Sequence, residues 1–155
     1  MNRWLALAAG VVVCDQWSKH AILAALANDR AVDVLPFFRL VLAYNTGAAF
    51  SFLAGAGGWQ RGFFIALAVV ASVWVVYLLR RHRGETLFCC ALSLILGGAV
   101  GNVIDRIMIG AVVDFLDFHA AGYHFPAFNV ADSSITCGAA LLLWDGFRQR
   151  SPRES

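Results

Sequence analysis

The sequence predicts an all-α membrane protein with four transmembrane helices and a small β-containing extracytoplasmic cradle, on three observations. Of its 155 residues, 60% are hydrophobic and 14% charged, with a mean hydropathy of +0.69. A soluble domain is about 45–50% apolar and about 25% charged. Four apolar runs approach the roughly 20 residues a helix needs to cross a bilayer, at about 4–27, 63–79, 86–109 and 128–147. Pro36, Pro126 and Pro152 all fall outside those runs, so the backbone within them can satisfy its own hydrogen bonds, as hydrocarbon demands. At this length a single integral membrane domain, 1–155, is expected.

The first run begins after Arg3 and ends in an alanine-rich stretch, which superficially resembles a cleaved signal peptide. Its core carries Asp15 and Lys19, it is long, and three more runs follow, so a retained helix is expected. Arg80, Arg81 and Arg83 fill the short link between the second and third runs, and Arg148, Arg150 and Arg153 follow the fourth. The excess of arginine at these places puts both termini in the cytoplasm. The opposite face then carries two long segments, about 28–62 and 110–127. Residues 32–44 mix β-branched and aromatic side chains around Pro36 and predict one or two short strands. Residues 54–58 (AGAGG) predict a flexible turn, and the aromatic-rich stretch 119–128 suits a bilayer interface. The net charge of +2 is too small to suggest a nucleic-acid partner. Cys14, Cys89, Cys90 and Cys137 lie in apolar runs without metal-ligand or disulfide spacing, and no metal or cofactor is implied.

Ionisable groups at membrane depth cost about 2.5–3.5 kcal/mol each on insertion scales and need a reason. Asp15 and Lys19, four apart, share a helix face and can pair to dock the first helix, or can contact substrate. In the third run, Gly97 and Gly101 form a close-packing face. Asn102, Asp105 and Arg106 follow toward its outer end, where Asp105 and Arg106 can satisfy each other or anchor nearby backbone. Asp132 lies about one turn into the fourth run, preceded by Asn129. A buried carboxyl there needs a cation or a second acid with which to share a proton, and Asp105, Asp114 and Asp117 are the candidates on the same outer face. Two carboxyls sharing one proton are the working part of an aspartic protease. Asn45 and Gly47 make a turn, or a place where a peptide backbone is held.

In order the chain reads DQWSK (15–19), NTGAAF (45–50), GGAVGNVIDR (97–106), VVDFLDF (112–118) and FPAFNVADSSI (125–135). Over essentially its whole length it resembles the lipoprotein signal peptidase (signal peptidase II) family of bacteria. That resemblance implies an intramembrane aspartyl endopeptidase of the inner membrane, acting near its outer face. The expected substrates are diacylglyceryl-modified prolipoproteins, cut just before the lipidated cysteine. It also implies that Asp114 and Asp132 are the catalytic pair. Asp15, Lys19, Asn45, Gly47, Asn102, Asp105, Arg106 and Asn129 would bind substrate or support the site. Membrane lipids are the other expected partner. A small proton-coupled transporter subunit is the alternative reading of the buried acids. It would call for internal repeats or broken helices, which the sequence lacks.

Overall fold

The computed structural model describes residues 1–27, 31–47 and 57–150. Their order is α1 (Asn2–Ala25), β1 (Ala31–Leu35), β2 (Phe38–Asn45), α2 (Trp59–Arg81), α3 (Thr86–Met108), β3 (Val112–Ala120), β4 (Tyr123–His124) and α4 (Val130–Arg150). The helices have 24, 23, 23 and 21 residues. At 1.5 Å per residue each is roughly 31–36 Å long, against a hydrocarbon core of about 30 Å. By composition α2 and α3 are apolar enough to cross a membrane, with mean hydropathies of 2.5 and 2.1. In α1 and α4 the apolar run is interrupted by Asp15, Lys19, Asp132 and Asp145.

Helix α3 is the centre of the bundle and packs against α1, α2 and α4. Its small residues make that possible. A Cβ on Gly101 would stand 2.5 Å from Asp15 Oδ2, and one on Gly98 would collide with the Ala131 carbonyl. Glycine at these two places lets α1 and α4 approach the α3 backbone. At one end of the bundle Trp4, Ala8, Val75, Leu79, Cys89, Leu92 and Leu96 form an apolar core. At the other end Ile22, Leu26 and Phe115 pack with Leu40, Leu42, Leu116 and Val130, which seats the sheet on the helices.

That sheet is antiparallel in the order β1-β2-β3-β4. The strands expected over 32–44 are β1 and β2, turning at Pro36 and Phe37. Hydropathy gives no sign of β3, because Val112–Phe115 is buried throughout and the alternation that marks a half-exposed strand is absent. The chain leaves α3 through Gly110, whose φ of 82° is the left-handed value that favours glycine. Ala121 and Gly122, with φ of 50° and 83°, close the β3–β4 hairpin in the turn form that matches strand twist. Of the AGAGG turn, residues 54–56 lie outside the described residues, as do residues 48–50 of the NTGAAF block.

Candidate active site

The polar residues expected at the site come together where the sheet meets the helices. Asp114, on β3, is 3% exposed. Asp132 stands in the first turn of α4 and is half-buried. One asparagine joins them. Asn129 precedes α4, and its Oδ1 accepts the Asp132 backbone N–H at 2.9 Å, an N-cap bond worth about 1 kcal/mol. Because a backbone N–H can only donate, this fixes which end of the amide is oxygen. The other end, Nδ2, therefore faces β3 and donates to Asp114 Oδ1 at 2.7 Å and to the Val113 carbonyl at 3.2 Å.

Two more amides are set in the same manner. Asn102 turns its Oδ1 to the Lys19 ammonium at 3.1 Å and its Nδ2 to Asp132 Oδ1 at 2.8 Å. Asn45 accepts the Gly47 N–H at 2.9 Å and donates to Asp114 Oδ2 at 3.2 Å. Each carboxyl of the pair thus receives amide N–H groups and, among the described residues, no direct cation. For Asp114 the balance of forces is explicit. Burial pushes its carboxyl up and the neighbouring Asp132 charge adds to that, while the N–H groups of Asn45 and Asn129 and the Lys19 charge pull it down; the result is about 7.

Beneath the pair lies a sealed charge cluster. Lys19, 1% exposed, bridges Asp15 and Asp105 at 2.8 Å each. Asp15 also accepts the Ala131 N–H at 2.9 Å, so a carboxylate on α1 sits at the positive end of α4. Asp105 accepts the Val113 N–H at 3.1 Å and thereby ties α3 to β3. Asp15 and Lys19 therefore form the docking pair that their spacing allows. Of the two readings of Asp105 and Arg106, mutual pairing or anchoring of nearby backbone, the structure favours the second. Neighbours in a helix point about 100° apart, so Asp105 turns to Lys19 while Arg106 donates to the Gly47 carbonyl at 2.7 Å. Gln16 was not legible as a site residue. Its Nε2 donates to Asp105 Oδ1 at 2.9 Å and to the Gly101 carbonyl at 3.2 Å, and its one signal is its place beside Asp15.

Asp117 stands apart. It is bound by Arg39, its cross-strand partner, and by His124 at 3.1 Å. Burial pushes its carboxyl up, but the hydrogen bonds and charges of Arg39 and His124 outweigh that and leave it below the ordinary range. Three residues along a strand from Asp114, it points to the opposite face. Among the described residues no three His, Cys, Asp or Glu side chains converge as a metal site would require.

The family model for signal peptidase (SPase) II matches residues 7–148. A lipoprotein signal peptidase of Ralstonia nicotianae is 59% identical over 146 residues, covering 94% of this chain and 84% of that one. A lipoprotein signal peptidase of Paraburkholderia phymatum is 56% identical, covering 94% and 88%. Two solved bacterial membrane enzyme structures, obtained by the in meso method, are similar in fold. One superposes with a TM-score of 0.88 at 32% identity, covering 100% of this chain and 93% of that one. The other gives 0.80 at 33% identity, covering 94% and 92%.

Proposed function

The chain belongs to the signal peptidase II family, proteases that act on lipoprotein precursors, and from that footing we propose how it works. It is an aspartyl endopeptidase that removes the signal peptide from diacylglyceryl-modified prolipoproteins by cutting before the lipidated cysteine. Asp114 and Asp132 are its acid and base. The observation that carries this reading is the Asn129 bridge, a single amide that ties the Asp114 carboxyl to the backbone N–H of Asp132.

The chemistry needs one carboxyl ionised and one protonated, with water between them. A carboxyl at about 7 retains its proton in part at neutral pH, which suits Asp114 to the acid role at rest. The ionised partner takes a proton from water, and the water oxygen bonds to the scissile carbonyl carbon as the acid protonates the carbonyl oxygen. The tetrahedral intermediate then collapses. The C–N bond breaks, the amine leaves with a proton from the carboxyl that had acted as base, and the oxygen's proton returns to the other. Arg106 Nε is buried and has no hydrogen-bond partner among the described residues. It is a donor that a bound peptide carbonyl would satisfy.

The site sits in the bacterial inner membrane near its outer surface, with all four helices spanning and both termini cytoplasmic. Supporting this, Val13 and Trp17 on α1, Val70 and Trp74 on α2, and Leu143 and Trp144 on α4 turn apolar side chains outward. The two charges in the middle of α1 are turned inward, with Asp15 and Lys19 0% and 1% exposed. The sheet lies at one end, and Arg80, Arg81 and Arg148 lie at the other. A lipid anchor then delivers the substrate in two dimensions and fixes the depth of the bond to be cut. The test is cleavage of a lipidated prolipoprotein by the purified chain. Signal-peptide release that survives strong chelators and is lost in Asp132→Asn is expected. Activity lost to chelation and restored by zinc would defeat the aspartyl reading.

A further inference from the structure

We propose that Lys19 is a positioning residue for catalysis, whose ammonium acts through the amide of Asn102 to aim a hydrogen-bond donor at Asp132. The proposal rests on the reading of Asp114 and Asp132 as the catalytic pair.

The argument begins with the donors of an ammonium group. Lys19 has three N–H groups and no acceptor. Two are spent on Asp15 and Asp105, at 2.8 Å each, and those bonds alone balance its charge and dock α1 against α3. The third goes to a neutral atom, Asn102 Oδ1, at 3.1 Å. A docking pair does not need it.

That bond chooses between two states of Asn102. A primary amide can be turned end for end at nearly constant shape, which exchanges its oxygen and its NH2. In the observed state the oxygen meets the ammonium and the NH2 meets Asp132 Oδ1 at 2.8 Å. In the flipped state the NH2 would face an ammonium and the oxygen would face a carboxylate, turning two charge-assisted hydrogen bonds into two repulsions. Asn102 Oδ1 also accepts Asn129 Nδ2 at 3.3 Å, and the same Nδ2 serves Asp114. The cation therefore sets the direction of the Asn102 bond to Asp132, and Asn129, oriented by the Asp132 N–H, carries the adjoining bond to Asp114. The cluster is sealed, with Lys19 at 1% and Asn102 at 8% exposed, so solvent does not compete for these donors.

The test is a double-mutant cycle in the full-length chain, assayed on a synthetic peptide that spans a signal junction and carries a diacylglyceryl cysteine. Lys19→Met, normalised to folded protein, should lower kcat about tenfold or more with KM unchanged, the loss of one well-aimed charge-assisted bond. Asn102→Ala should lower kcat at least as much. The double variant should be no slower than Asn102→Ala alone, because both changes cut one chain of contacts. Full kcat in folded Lys19→Met would overturn the proposal, and so would losses that multiply in the double variant.

Lys19→Met strands two buried carboxylates, so a low yield of folded protein is provided for. The same comparison is then run with Asp15→Asn/Lys19→Met against Asp15→Asn. This swap leaves the net charge of the cluster unchanged and keeps an acceptor for the Ala131 N–H. Asp132→Asn separates the two readings. If it is inactive while the cycle is additive, the relay through Asn102 fails alone. If it cleaves at the normal rate, the catalytic assignment itself fails.

Discussion

Asp114 and Asp117 stand three residues apart on one strand and are almost equally sealed from solvent, at 3% and 4% exposure, yet they are held in opposite ways. Asp117 faces a guanidinium and an imidazole. Asp114 faces two amides and, beyond them, another acid. Burial raises both carboxyls, and what differs is whether a cation bonds the carboxyl directly, since Lys19 acts on Asp114 only through space. Where one does, the acid is fixed as an anion and braces the sheet. Where the direct bonds come from amides, the acid keeps a proton it can exchange near neutral pH. The lesson is that burial alone does not separate the two acids; the neutral donors at Asp114, standing where Asp117 has cations, do.

The contrast can be broken most sharply at the pair itself. Asp132→Asn should slow cleavage on the order of 10³-fold or more, and Asp114→Asn/Asp132→Asn should be hardly slower, because the two groups act as one unit. A double variant slower by the product of the single losses would separate the two roles. Next in size is the bridge. Asn129→Ala removes the donor to Asp114 and the cap of α4 together. A loss of about 100-fold in kcat is expected, with about 1 kcal/mol of stability, read from single-turnover cleavage and thermal unfolding. Wild-type kcat in that variant would remove Asn129 from the site.

The two acids should also leave opposite marks on pH dependence. Between 3.8 and about 7 the folded chain keeps the Asp114 proton that the unfolded chain has released. Asp114 therefore subtracts stability as pH rises through that window, and Asp114→Asn should flatten the decline. The rate should fall on the alkaline side of about 7 as the pair loses its shared proton. Asp117, held below the ordinary range, adds stability above the unfolded carboxyl's pKa, and that contribution is lost as pH falls. The smallest effect on activity belongs to Asp117→Asn, which should stay within about threefold of the parent rate while lowering thermal stability. Loss of cleavage there without loss of stability would make Asp117 part of the chemistry.

Much of the helical frame was legible from the sequence, since each helix coincides with an apolar run to within a few residues. The sheet was half legible. β2 carries its β-branched and aromatic signature, but β3 is buried too completely for alternation to show. Site residues were visible as polar intrusions into apolar sequence, yet their pairing was not. Lys19 and Asn102 are 83 positions apart, and only the close packing of α1 on α3 brings them together. Spacing left Asp105, Asp114 and Asp117 equal as partners of Asp132, and the resemblance singled out Asp114. Adjacency left two readings open at Asp105 and Arg106, and the structure favours backbone anchoring, because consecutive residues on a helix face different neighbours.

The most direct measurement sets the two acids of β3 against each other. Asp114→Asn and Asp117→Asn, each purified and shown to be folded, are given the same lipidated prolipoprotein, and signal-peptide release is timed in a single turnover. The expected result is no release by Asp114→Asn and near-parent release by Asp117→Asn. Release by Asp114→Asn at the parent rate, or an inactive Asp117→Asn beside an active Asp114→Asn, would contradict the assignment of Asp114 as the partner of Asp132.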